Sequence, residues 1–362
     1  MSPGASSWKD RVPARQIGIV CATLAIGAVG AAVSVLLHFP AAWLTGPLLA
    51  VTIAGFAGVE LDVPVFLRQV SFIVIGMVMG SGVSPATLEA ARQWPLSFIG
   101  LVFSVALVMI TGWAILARIW KLDSNSALLA ATPGHLSYVF SLASETRSDT
   151  LAIGMIQSLR LLALTLLVPF TLVGMGLSSP DSTGAIEAMS LPWLLINGLL
   201  AVAAGWLFLK ARVPAAFLMG GLLIATLSHI TGIASGAVPQ WLSVPCFVIL
   251  GSLIGTRFSN VSWVAFRRSA GGAVAVTVSA FAISFACALA VARVTGLDPK
   301  QVLLAYAPGG LETMAAIAVN MHIDPAYVAS HHIFRLFILL ALIPLFLRTP
   351  KPNERKGGAG SD

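Results

Sequence analysis

The sequence predicts an all-α polytopic membrane protein made of two inverted repeats, each of about five transmembrane helices plus one re-entrant Pro-Gly hairpin. Three observations lead there: an apolar composition, apolar stretches of spanning length, and a duplication that keeps polar residues in register. Of 362 residues, 57% are hydrophobic and only 10% are charged. Polar side chains are too few to cover a water-soluble globule, so much of the apolar surface must face lipid.

Apolar stretches run from Gln16 to Leu37, Pro40 to Val59, Phe66 to Gly82, Pro95 to Ala117 and Thr150 to Gly176, with a matching series from Leu191 to Leu347. Each is about the length that crosses a ~30 Å hydrocarbon core as a helix. The first follows Lys9, Arg11 and Arg15, as a secretory signal would. It is longer than such a signal core and has a later counterpart, so it reads as a retained span. Cys21, Cys246 and Cys287 lie inside apolar stretches without ligand spacing, which argues against a disulfide frame or a zinc site. The net charge of +7 includes a basic tail at Arg348, Lys351, Arg355 and Lys356. The remaining positive residues are dispersed between spans, where orientation in a bilayer explains them without nucleic acid.

Sliding the chain along itself until Leu122 falls on Leu297 aligns LDSNSALLAATPGHL with LDPKQVLLAYAPGGL, with eight of fifteen positions identical. The same register pairs Gly76 and Gly80 with Gly251 and Gly255, Asp149 with Asp324, Arg160 with Arg335, and Pro169 with Pro344. A register shorter by a single position pairs Pro40-Ala41-Ala42 with Pro214-Ala215-Ala216, and Gly46 with Gly220. Chance likeness between apolar segments does not keep Pro, Gly, Asp and Arg in step. The division that follows is a cytoplasmic segment 1–15, repeat one at 16–177, a linker at 178–189, repeat two at 190–347 and a basic tail at 348–362.

Around each Pro-Gly pair the chain either dips to mid-membrane and returns or crosses as a kinked helix, since each limb spans only ~15 to 20 Å at helical rise. Proline at the first position of the second limb favours a new helix starting there. Charge separates the two readings. With both segments re-entrant, sixteen of the 21 Lys and Arg fall on one side and only Arg92, Arg293 and Lys300 on the other. With both crossing, the division is twelve against seven. The positive-inside rule selects the re-entrant form with both termini cytoplasmic. Five crossings per repeat is an odd number, so the second repeat enters upside down and the hairpins meet near the midplane, as in inverted-repeat transporters.

With its P-A-A-[WF]-L-x-G and [TA]-P-G-[HG]-L elements in both halves, the chain resembles the bacterial membrane family labelled AbrB over about Ile17 to Leu347. Members are also described as ammonia monooxygenases or as regulators of the aidB gene. The resemblance implies a bacterial inner-membrane protein related in fold to inverted-repeat cation antiporters and anion transporters.

The candidate site collects Thr132, Pro133, Gly134, His135, Ser137 and Ser141 from the first hairpin and Pro308, Gly309, Gly310, Glu312, Thr313 and Asn320 from the second. Ser137, Ser141 and Ser144 share one helical face, opposite a partner with a single carboxylate, Glu312. Such a stripe suits a midplane binding site, and equally suits close helix packing. Arg160 and Arg335 lie about ten residues into the last span of each repeat, where an unpaired guanidinium costs several kcal/mol. Each therefore clamps an anion, meets a carboxylate, or caps the carbonyls of a neighbouring limb. His331 joins the list as a titratable group near neutral pH that serves proton coupling or stands as an ordinary buried histidine. His331 and His332 are adjacent, so their rings point ~100° apart, and the other histidines, His38, His135, His229 and His322, are scattered along the chain. The expectation is therefore no enzyme, no cofactor and no metal. The partners are the lipid bilayer, a small organic anion or metabolite, and H+ or Na+. Direct nucleic-acid binding is not expected, and homo-oligomer formation is left open. A secondary transporter is the leading reading, a sensor acting indirectly on gene expression the second, and a membrane monooxygenase the remote third.

Two outcomes follow. Single cysteines at Asp181 and Asp324 should react with an impermeant maleimide from outside intact cells, whereas a C-terminal tag should be reached only after permeabilisation; a C-terminus labelled from outside overturns the five-plus-five topology. Elemental analysis of purified protein should find no stoichiometric copper, iron or zinc, and one tightly held metal per chain would revive the oxygenase.

Overall fold

The computed structural model describes residues 14–83, 87, 89, 91–133, 136–146, 148–176, 188–259 and 263–347, of which 14, 136, 137 and 263–265 by backbone alone. The helices of the first half are α1 Ala14–Leu36, α2 Ala42–Phe56, α3 Val65–Ser81, α4 Trp94–Arg118, α5 Ser124–Ala131, α6 Leu136–Glu145 and α7 Thr150–Gly174. Those of the second half are α8 Leu191–Lys210, α9 Ala216–Ile230, α10 Gln240–Gly255, α11 Trp263–Thr295, α12 Pro299–Tyr306, α13 Leu311–Asn320 and α14 Pro325–Phe346. The second series repeats the first in order. The pairs α5 and α12 (8 residues each) and α6 and α13 (10 residues each) match in length.

The duplication extends to backbone conformation. His38, Ala41 and Gly58 have positive φ, as do Arg212, Ala215 and Gly232 at the matching places of the second half; Lys121 has its counterpart in Gly296. A left-handed alanine costs about 1–2 kcal/mol. Ala41 and Ala215 both carry that strain as the caps of α2 and α9, at φ 50° in each, so the sharp entry into these helices belongs to the repeat itself.

Among the described residues seven helical segments are long and apolar enough to cross a membrane: α1, α4, α7, α8, α11, α14, and α10 together with the 3-10 turn Thr256–Phe258 that continues it. The sequence leads to expect ten crossings of ordinary length. Three of those places are held instead by α2, α3 and α9, of 15, 17 and 15 residues, which reach only about 22–26 Å. Their position accounts for the shortness. Leu44, Leu48 and Val51 of α2, Ile75, Met77 and Met79 of α3, and Leu218 and Ala225 of α9 are buried in protein, so these helices need not match the thickness of the bilayer. Large apolar side chains point outward from the longer helices, among them Phe103 on α4 and Leu195 and Leu199 on α8. Such an apolar exterior suits lipid and not water.

Glycine sets the packing at the centre. A Cβ on Gly76 would meet the Leu218 backbone, one on Gly80 would meet Leu222 and Thr226, and one on Gly221 would strike Ile73 and Met77. Residue numbers rise together along this seam, so α3 and α9 run parallel with their backbones nearly touching. The α2–α10 seam is built alike: Gly251 abuts Leu44 and Pro47, and Gly255 abuts Leu48 and Val51. Both of these seams thus join a helix of one half to a helix of the other. Small residues spaced by four allow such approach, with dispersion and backbone contacts replacing a hydrophobic force that lipid does not supply. Gly76→Ala or Gly221→Ala should force these backbones apart and lower stability by about 1–3 kcal/mol, read as an earlier thermal transition in detergent. Gly18→Ala, whose Cβ meets nothing within 4 Å, is the control; equal effects at all three positions would refute the close-packing account.

Candidate functional site

The two hairpins are built by the same local rules. Asp123 caps α5 by accepting from Ser126 N (2.9 Å), and Asp298 caps α12 by accepting from Lys300 N (2.9 Å). Both helices end where a residue precedes proline. Thr132 (ψ 122°) and Ala307 (ψ 128°) are extended, because the proline ring excludes helical ψ from the residue before it. The second limbs do not begin at proline, as the sequence reading has them. They start at Leu136 and Leu311, with Gly310 the N-cap of α13. Pro308 belongs to the break, which is tightened by a bond from Gly309 N to Ala307 O of 2.8 Å.

The chain leaves and re-enters each hairpin at one place. Asp149 N, at the start of α7, donates to Ser126 Oγ in the first turn of α5 (2.7 Å), so α6 brings the chain back from the tip to the base. Deeper along α7, Arg160 donates from Nη1 to Ala131 O (3.0 Å) and from Nη2 to Thr132 O (2.8 Å). Arg335 on α14 does the same in the second half, to Ala307 O (2.7 Å) and Ala305 O (2.8 Å). Both guanidinium groups are almost wholly buried, at 4% and 2% exposure. Of the roles open from sequence, the geometry assigns them the cap: they satisfy orphan carbonyls at the C-terminal ends of α5 and α12 and neutralise the negative end of each helix dipole.

The two hairpins approach the core from different ends of α4. Near its C-terminus, Trp113 Nε1 donates to Ser124 Oγ at the base of the first (3.1 Å). Near its N-terminus, Ser97 bonds Tyr327 of α14, close to the Asp324 cap at the base of the second. Burial pushes the Asp324 carboxyl above the usual carboxylate range, against the bonds that Tyr327 N and Ala326 N donate to it. The tips come together: Gly310 packs on Leu161, the neighbour of Arg160, and the charges of Arg160 and Arg335 interact.

Glu312, in the first turn of α13, is half-buried, with one carboxylate oxygen beside Gly310. Arg257, just past α10, is within electrostatic reach of Glu312 and of Arg68 on α3. From sequence these two arginines count only as loop charges. Thr313 is buried beside the carboxylate, and Asn320 spends its amide on Ala316 O of its own helix (2.9 Å). Ser141 is exposed, and the Ser144 hydroxyl bonds back to Ser141 O (2.7 Å), within α6. Gly134, His135 and the Ser137 side chain lie outside the described residues. His331 is not at the Glu312 tip. It sits toward the base of the second hairpin in a buried cluster with Ser97, Tyr306 and Tyr327, three residues the sequence reading passes over. A signal for two of them is present in the duplication: the matching places of the first half carry Ala131 for Tyr306 and Ala152 for Tyr327. Among the described residues no three His, Cys, Asp or Glu side chains are grouped as metal ligands.

Two relatives resemble the chain over most of its length. YhjN of Bacillus subtilis (strain 168) is 27% identical over 295 residues, covering 76% of each chain. An Escherichia coli (strain K12) protein described as "Putative regulator AbrB" is 25% identical over 348 residues, covering 93% of this chain and 97% of its own. The family model for AbrB, described as transition state regulatory protein AbrB, matches residues 43–350. With the match covering the hairpins and the helices that hold them, the chain belongs to the AbrB family.

Proposed function

We propose that the protein is a secondary transporter that moves a small organic anion with a coupling cation by alternating access, its two repeats inverted across the membrane. The observation that carries this reading is the pair of broken helices, each stopped inside the fold and held there by a buried arginine. Breaks of that kind are tolerated at membrane depth only where protein or a water-filled cavity satisfies the backbone. They are the usual means by which transporters expose peptide groups to a solute. Inversion is supported by helix direction: α2 and α3 each run parallel to a helix of the opposite half, and the hairpin bases contact opposite ends of α4.

Glu312 is the coupling group in this reading. It can release and take up H+ or Na+, while the N–H groups that begin α13 face an anion with the positive end of a helix dipole. Arg68 and Arg257 add positive charge on the approach to Glu312. The relative's name favours a second reading, a regulator. A transporter that changes the level of a signalling metabolite would act on gene expression without touching DNA.

The test is flux into proteoliposomes from a pool of small carboxylates, read by mass spectrometry, with and without a proton or sodium gradient. Glu312→Gln should abolish gradient-driven uptake, by about a hundredfold, while the protein remains folded, because the amide keeps size but not charge. Arg335→Lys should reduce uptake by tenfold or more, since a point charge replaces only part of a planar fork that grips two carbonyls. If both variants keep full activity the site is wrong, and if both lose their fold the arginine and glutamate serve only to hold the hairpin.

A further inference from the structure

The helices around the second hairpin carry a polar cluster that the repeat does not reproduce around the first. Ser97 on α4, Tyr306 at the end of α12, and Tyr327 and His331 on α14 are all buried and joined by hydrogen bonds. Tyr306 Oη donates to Ser97 O (2.5 Å), Ser97 Oγ lies 2.9 Å from His331 Nε2 and is bonded to Tyr327 Oη, and His331 Nδ1 lies 2.8 Å from Tyr327 O. Phe98 stacks on the imidazole at 4.3 Å, and Trp94 meets the Tyr327 ring edge-on at 5.4 Å. At the places related by the duplication stand Gly272 for Ser97, Ala131 for Tyr306, Ala152 for Tyr327 and Ile156 for His331. Ala131 and Ile156 are buried as well, with no polar side-chain atom to bond. Packing of the repeat is therefore met by small and apolar side chains, and the buried polar groups against the second hairpin call for another reason.

The directions of the bonds follow from the groups themselves. A carbonyl only accepts, so the proton on the neutral ring is on Nδ1 and Nε2 is an acceptor. Ser97 must then donate to Nε2, and Tyr327 to Ser97, giving one closed run of donors across the α4–α14 contact. A second proton turns Nε2 into a donor, so Ser97 Oγ must accept from both the ring and Tyr327, and its own hydrogen loses its acceptor in the cluster. Among the described residues, the groups around the ring offer no counter-charge. On α14 they are Tyr327, His332 and Arg335, with Asp324 nearest to Tyr327 at the helix start. On α12 there is Tyr306, with Cys287 of α11 beyond it, and α4 contributes only Ser97, Trp94 and Phe98. A buried imidazolium without a carboxylate partner destabilises the closed contact by the desolvation of a charge.

We propose that His331, with Ser97 and Tyr327, is a proton-binding site whose occupancy opens the contact between α4 and α14. Because the proton binds the open form better than the closed one, acidification shifts the population toward the open form by linkage. Proton binding stands on the cluster alone; only its use, to drive reorientation of the second hairpin, rests on the transport reading.

The experiment uses the full chain in lipid nanodiscs with 15N-labelled histidine and no solute. His331 is identified among the six histidines by the resonance lost in His331→Gln. It should change from the Nδ1–H neutral form at pH 8 to the imidazolium on acidification. Over the same range, amide hydrogen exchange in 94–101 and 325–333, corrected for its intrinsic pH dependence, should rise at least tenfold. His331→Ile, the residue found at the matching place, should abolish that rise, and His331→Gln provides the same test should the isoleucine variant fail to fold. A ring that keeps a single proton at pH 5 in folded protein overturns the proposal, as does an equal rise in exchange in the variants. A negative flux result leaves these readouts intact, and a ring that does not titrate leaves the flux test of Glu312 intact.

Discussion

The constraint on which the rest of the structure depends is the fate of carbonyl groups where α5 and α12 stop. A helix that ends inside a membrane protein leaves its last carbonyls without partners and a negative dipole end without solvent. Here a buried arginine answers both needs at each site, with two N–H groups on two carbonyls and a full positive charge at the right pole. The depth of the hairpin follows from this. Arg160 stands about three helical turns below the Asp149 cap, about 16 Å along α7, comparable with the length of the α5 limb and its extended end. With Asp149 N fixed to Ser126 at the base, α5 and the start of α7 are tied at both levels, and α6 must run back between them. Removing either arginine would leave buried carbonyls unpaired and the tip with nothing to hold it.

Comparison of the two halves separates scaffold from specialisation. Asp123 with Asp298, Asp149 with Asp324, Arg160 with Arg335, and the paired glycines of the α3–α9 and α2–α10 seams do the same work twice. They make a hairpin, hold it and let helices touch. Other positions break the repeat, and they collect in the second hairpin and the helices against it. Gln157, which donates to Leu129 O, is replaced by His332, and Ser137 by Glu312. His332 bonds Val328 O through Nδ1 (3.0 Å), and its buried ring also faces the Ala307 carbonyl that Arg335 holds at the tip of the second hairpin. At these places the first hairpin and its helices carry an amide that holds backbone and a hydroxyl; an imidazole and a carboxylate stand there only around the second.

What is legible in the sequence follows the same line. The duplication, the Pro-Gly breaks and the buried arginines can be read directly, because aspartate caps, helix breakers and charges inside apolar runs have few alternative explanations. The limb starts at Leu136 and Leu311 are misread because proline at a helix start is a common local rule, whereas here it serves to end the preceding helix. The length of α2, 15 residues within the apolar stretch from Pro40 to Val59, is over-read because an apolar run looks alike whether lipid or protein surrounds it. Ser97 and Tyr327 escape notice because Ser97 stands far from both Tyr327 and His331 along the chain, a separation that only the folded contact between α4 and α14 closes. Arg257 and Arg68 read as orientation signals, which is compatible with their end of the molecule but leaves out what they face.

The charges at the tip of the second hairpin bear on how coupling works in the proposed transporter. Arg335 answers the negative end of α12, and the carboxylate of Glu312, in the first turn of α13, answers the positive end of that helix. The tip is thus electrically matched while Glu312 is ionised, and an anionic solute would have to compete with Glu312 for the same N–H groups and the same field from Arg257. Once a proton or a sodium ion neutralises the carboxylate, the positive end of α13 is left without a partner and an anion supplies it. Solute and cation then bind in order, the cation first, and each makes the other's binding more favourable by the same coupling free energy. A tip carrying both is as nearly neutral as a tip carrying neither. Those are the two states that can cross the low-dielectric interior at least cost, so coupling follows from charge balance at the tip without any further device.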